Sequence, residues 1–100
     1  MRLTDKEIKA IKEVAKLVFG EEATVKVFGS RIDDQMKGGD IDLLIQCNMA
    51  ISRSEQYQRK IKFLVQLKKI IGDQKIDVLI DNGLHTNPII REAYKEGVLL

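Results

Sequence analysis

The sequence predicts an α+β domain: a small mixed β-sheet with helices packed on one face. Three observations predict it. Two long segments combine a helix-start spacing with apolar residues at helical intervals. Three short β-branched segments alternate the character of successive residues, as strands do. Glycine stands where each of the two helical patterns stops. The predicted order is helix, strand, strand, helix, strand, helix, which segregates the helices from a short sheet.

Thr4 and Glu7 have the Thr-x-x-Glu spacing of a capping box, in which side chains satisfy the first free N–H groups of a helix. Ile8, Ile11, Ala15 and Val18 then recur at helical spacing, with Val14 and Leu17 beside them, and Gly20 ends the pattern. Residues 24–28 are short and β-branched, and form the first predicted strand. Residues 31–39 read as a polar loop holding Asp33, Asp34, Lys37 and the pair Gly38–Gly39. Residues 40–46 form the second predicted strand. Ser52 and Glu55 repeat the capping-box spacing, and a helix is predicted over 53–71, with Tyr57, Ile61, Leu64, Val65 and Leu67 towards a core. Gly72 and Asp73 break it. Residues 75–80 form the third strand. Asn87 and Pro88 open a last short helix, since proline at the first helical position loses no hydrogen bond.

Strand side chains alternate between two faces. Ile41, Leu43 and Ile45 therefore share one face, and Asp40, Asp42 and Leu44 the other. Ile76, Val78 and Ile80 likewise oppose Asp77 and Leu79. The aliphatic sets belong under the helices. Asp40, Asp42 and Asp77 then meet on the open face if the two strands are neighbours in suitable register. Three like charges on one face repel one another, and a divalent cation would offset that repulsion. Mg²⁺ takes carboxylate oxygens and completes its shell with water and phosphate. A pair of such ions can clamp the attacking and leaving oxygens of an in-line displacement. Gly29 and Ser30 follow the first strand, where backbone N–H groups and a hydroxyl can hold phosphate oxygens. Arg31 adds a charge suited to a triphosphate.

One hundred residues with 44% hydrophobic and 32% charged content make one ordered domain, spanning 1–100. The net charge of +2 is too near balance to argue for nucleic acid. Cys47 is the single cysteine, so no internal disulfide forms, and it reads as a packing residue. No apolar run is long enough to span a membrane, and the first residues lack an apolar signal core; the expected location is cytoplasmic.

Phe28-Gly29-Ser30-Arg31, then Gly39-Asp40-Ile41-Asp42-Leu43-Leu44-Ile45, then Lys75-Ile76-Asp77-Val78-Leu79-Ile80 resemble the DNA polymerase β-like nucleotidyltransferase superfamily. The likeness is nearer to its minimal branch, the MntA-type antitoxins, and runs through the terminal segment 91–100. The loop between Ser30 and Asp40 has nine residues, one fewer than that branch's pattern. The resemblance implies the polymerase β-like fold and transfer of AMP, or another NMP, from ATP or another NTP to an acceptor hydroxyl. It implies that Gly29 and Ser30 bind the NTP phosphates and that Asp40 and Asp42 hold Mg²⁺. Asp77 would be the third carboxylate, binding metal and helping to deprotonate the acceptor. A tyrosine of a HEPN-domain ribonuclease toxin is the acceptor it points to, and a hetero-oligomer with that toxin the expected assembly. The alternative is an antitoxin that acts by binding and masking its toxin without catalysis.

Other residues have plainer readings. Asp33, Asp34 and Asp81 suit solvated loops or turns, and His85 a solvated loop. Arg59, Lys62, Gln66 and Lys69 form one helical stripe, read as a solvated face before an RNA- or partner-facing patch. Leu44 and Leu79, and Phe28 if it pairs in phase, fall on the carboxylate face. They would serve as an adenine-stacking floor, a protein interface or edge packing.

Overall fold

The computed structural model describes residues 3–28, 40–47, 51–81 and 97–100. Helix α1 (Asp5–Phe19) leads into strand β1 (Thr24–Phe28), then β2 (Ile41–Gln46). Helix α2 (Arg53–Ile71), β3 (Ile76–Asp81) and the short β4 (Val98–Leu99) follow. The last predicted helix, at Asn87 and Pro88, lies outside the described residues.

The capping box of α1 is complete: Glu7 N–H donates to Thr4 Oγ1 at 3.1 Å, and Thr4 N–H to Glu7 Oε1 at 2.9 Å. That of α2 is only half made. Glu55 N–H donates to Ser52 Oγ at 3.1 Å, but the Glu55 carboxylate turns to Arg59 instead. Both helices end at a glycine with positive φ, 106° at Gly20 and 92° at Gly72, a conformation that side chains disfavour.

The sheet runs β3-β2-β1-β4. β1 is antiparallel to both its neighbours, while β2 and β3 are parallel. The sheet is thus mixed, and α2 is the crossover that a parallel pair requires. Val25, Val27, Ile41, Leu43, Ile45, Ile76 and Val78 pack with Ala10, Ile11, Val14, Phe19, Phe63 and Leu67 into one core. Both described helices therefore cover the same face. The rings of Phe19 and Phe63 meet at 6.0 Å and join α1 to α2. Cys47 is buried in this core, as its position predicted.

Four features differ from the sequence expectation. Phe63 and Leu67 are the fully buried residues of α2, whereas Tyr57, Ile61 and Val65 are exposed. The helix carries two apolar rows, and packing against Phe19 selects the row through Phe63. Leu17 is likewise exposed on α1. Asp81 is not a loop residue: it ends β3 opposite Gln46 and is 1% exposed. β4 adds an unexpected strand, too short to show alternation. No helix among the described residues is long and apolar enough to cross a membrane.

Candidate functional site

The parallel register of β2 and β3 brings two of the three predicted carboxylates together. Ile41 pairs with Ile76, so Asp42 stands opposite Asp77, and Leu44 opposite Leu79. Neighbouring strands lie about 4.8 Å apart, which places the two aspartates side by side on one face. β1 contributes to the same face, because Phe28 is the partner of Asp42. The sequence pattern makes this arrangement stable. Any one-residue slip would turn Ile41, Leu43 and Ile45 away from the helices.

Asp40 lies one residue before β2 and is half-buried. Its carboxylate pairs with Lys75 Nζ at 3.5 Å, and the Lys75 carbonyl accepts from Ile41 N–H at 3.0 Å. Lys75 was not a predicted site residue. The signal was its place one residue before β3, which the parallel register aligns with Asp40.

Asp42 feels both neighbours. Partial burial pushes its carboxyl above the ordinary aspartate value of 3.8, and the charges of Asp77 and Asp40 push it the same way. The electrostatic strain read from the sequence therefore falls on the middle carboxylate of the three. Among the described residues, however, no three His, Cys, Asp or Glu side chains form a ready-made metal cage. Asp42 and Asp77 are aligned by the strands, while Asp40 is held towards Lys75. All three donors are carboxylates, the hard oxygen ligands that suit Mg²⁺ rather than a softer metal.

Beyond the acidic end, the same face is apolar. Leu44 is 1% exposed and packs with half-buried Phe28 and Leu79. Leu44 is thus not an open surface for a base or a partner, and edge packing is the role it fills. Gly29, Ser30 and Arg31 lie outside the described residues, as do Asp33, Asp34, Lys37 and His85.

Arg59 departs from the solvated stripe assigned to it. It donates from Nη1 to the Val18 carbonyl at 2.6 Å and from Nη2 to Glu55 Oε1 at 3.0 Å. It thus places a cation at the C-terminal end of α1, where the helix dipole favours one.

No protein-family model matches the chain, and no curated protein matches it.

Proposed function

We propose that the protein is a nucleotidyltransferase acting through the Asp42–Asp77 face. More particularly, it would be a polymerase β-like adenylyltransferase whose acceptor is a hydroxyl on a partner polypeptide, a tyrosine of a HEPN-type toxin being the leading case. The observation that carries this reading is the alignment of Asp42 with Asp77 across parallel strands, with the Asp42 carboxyl raised by its surroundings. Carboxylates gathered at a cost in repulsion are what a divalent-cation site requires.

Asp40, Asp42 and Asp77 would hold Mg²⁺, with Asp40 exchanging its pairing to Lys75. When bound, Mg²⁺ supplies charge compensation for the NTP phosphates. Asp77 is exposed, so an incoming hydroxyl can reach it. Its carboxylate accepts the hydroxyl proton, and the acceptor oxygen forms a bond to the α-phosphorus. The α–β phosphoanhydride bond breaks and pyrophosphate leaves with the electron pair. Gly29, Ser30 and Arg31 are the groups proposed to bind its phosphates. Lys75, freed from Asp40, adds a cation at the same end of the sheet. The protein's share of the rate is mostly positioning and electrostatics.

The test is co-expression with the candidate toxin, followed by size exclusion and intact mass. One transferred AMP adds about 329 Da to the acceptor by residue mass alone. Asp77→Asn should abolish that gain while keeping much of the nucleotide affinity. A partner that co-elutes but gains no mass with ATP and Mg²⁺ would favour the non-catalytic antitoxin. Efficient modification of free RNA or a small alcohol instead would overturn the protein-acceptor reading.

A further inference from the structure

The exposed row of α2 lies away from the carboxylates. Tyr57, Ile61 and Val65 follow one another at four-residue spacing, which stacks them along one side of the helix. They are 64%, 44% and 48% exposed. At about 1.5 Å per residue, the row is about 12 Å long. Its first member lies over the edge of the sheet. Arg53, Gln56, Tyr57 and Lys60 line a groove of about 340 Å³ with Val78, Leu79 and Ile80 of β3. Among the described residues, β3 is the outermost strand on that side. The groove therefore adjoins the row at Tyr57, while Ile61 and Val65 stand exposed beyond it.

The charges beside the row are nearly all of one sign. α2 carries Arg53, Arg59, Lys60, Lys62, Lys68 and Lys69 against a single acid, Glu55. Arg59 already engages Glu55, and Lys68 reaches Asp73 at 3.7 Å. Among the described residues, no ion pair involves Arg53, Lys60, Lys62 or Lys69. On the helix, Arg53 and Lys60 flank the row on the β3 side, and Lys62 and Lys69 on the other.

This charge pattern decides the occupant. A second copy would set the same cations against themselves, and like charges at an interface are repelled. A bilayer favours a broad apolar face, whereas the exposed apolar surface here is a single row of three residues. A nucleic acid would match the cations but leave Ile61 and Val65 without an apolar partner. A helix with an apolar row and acidic flanks matches both features. We propose that α2 and the β3 edge dock an acidic amphipathic helix of another polypeptide. Tyr57, Ile61 and Val65 take its apolar row, and Arg53, Lys60, Lys62 and Lys69 pair with its carboxylates.

This surface is separate from the carboxylates, so its test is independent of the transfer chemistry. The probe is a fluorescein-labelled designed helical peptide with leucines in one row and glutamates flanking it. A matched peptide carries lysine in place of every glutamate. Fluorescence anisotropy should show the acidic peptide binding at least about tenfold more tightly than the basic one. The double substitution Ile61→Gln and Val65→Gln should weaken binding by about tenfold or more, with an unchanged melting temperature. Arg53→Glu with Lys60→Glu should shift the preference towards the basic peptide, and Asp42→Asn should bind as wild type. Equal binding of the two peptides, no binding of either, or indifference to these α2 substitutions would overturn the proposal. So would tighter binding of phosphatidylserine vesicles or an RNA oligonucleotide through the same residues. Concentration-dependent dimerisation lost in Ile61→Gln would instead assign the surface to a second copy.

Discussion

The two faces of β2 and β3 are made from alternate residues of the same strands, yet they do opposite things. On the helix side, Ile41, Leu43, Ile45, Ile76 and Val78 are all between 0% and 6% exposed. On the other side the strands begin with paired acids, Asp42 and Asp77, and continue with paired leucines, Leu44 and Leu79. The first face is uniform because two helices must pack on it. The second is divided, with a small apolar cluster beside an acidic end. The stability of one face lets the other carry charges that oppose folding.

The largest expected effects break this contrast at Leu43 and Leu44, neighbours in sequence that point to opposite faces. Both are buried, at 0% and 1% exposure. Leu43→Ala should cost about 3–5 kcal/mol, because its site is walled by the main core. Leu44→Ala should cost less, about 2–3 kcal/mol, since its partners Phe28 and Leu79 are half-buried and can settle into the space. Urea denaturation measures both. A cost near zero for Leu44→Ala would mean that the second face is not packed at all.

Next in size is the response to metal. Mg²⁺ at about ten times its dissociation constant should stabilise the native state by about 1.4 kcal/mol, read as a rise in melting temperature. Asp42→Asn should remove most of that response. An equal rise in both proteins would place the cation elsewhere.

A smaller effect follows from the raised Asp42 carboxyl. Its folded-state value lies above the unfolded value of 3.8, so the native state binds more protons between the two. Stability must then fall as pH rises through that window, and the penalty is fully present above it. Without metal, Asp42→Asn should therefore melt at a higher temperature than wild type at neutral pH. The advantage should shrink as pH falls towards the unfolded value. A variant that is less stable at neutral pH would reverse the sign of the argument.

The smallest effect concerns Lys75. Its side chain is 77% exposed, and its pair with Asp40 is 3.5 Å long. Lys75→Ala should change stability by about 0–1 kcal/mol, less at high salt. A larger loss in nucleotide affinity than in stability would give Lys75 the binding role proposed for it.

Much of this arrangement was legible in the sequence because strand alternation is a local signal. Ile41, Leu43 and Ile45 define a buried face, and that fixes Asp42 on the other. The sequence leaves open which residue of β3 stands opposite Asp42, because a two-residue shift keeps every face; the strand pairing places Asp77 there. Thr4 and Glu7 likewise declare a helix start within four residues. Four things were hidden because they depend on tertiary packing. Ile61 and Val65 are as apolar as Phe63 and Leu67, and only the packing of α2 on the core, Phe19 included, decides which row is buried. Leu44 sits on a face that alternation assigns to the carboxylates, yet it is buried, with Phe28 and Leu79 packed against it. Val98 and Leu99 become a strand only because β1 has an open edge to pair with. The pairing of Asp40 with Lys75 was hidden for the same reason, since parallel register aligns residues 35 positions apart.

The proposed cation site rests on Asp42 and Asp77, aligned across parallel strands, with the Asp42 carboxyl raised. Carbon-13 NMR of the aspartate carboxyls, titrated across pH with and without Mg²⁺, tests it most directly. Without metal, Asp42 should titrate above 3.8, and Asp77→Asn should bring it down by removing a neighbouring charge. With Mg²⁺ present, its titration should move below the metal-free value, because the bound cation favours the ionised form. An Asp42 that titrates at the ordinary value without metal, and does not move when Mg²⁺ is added, would contradict the account.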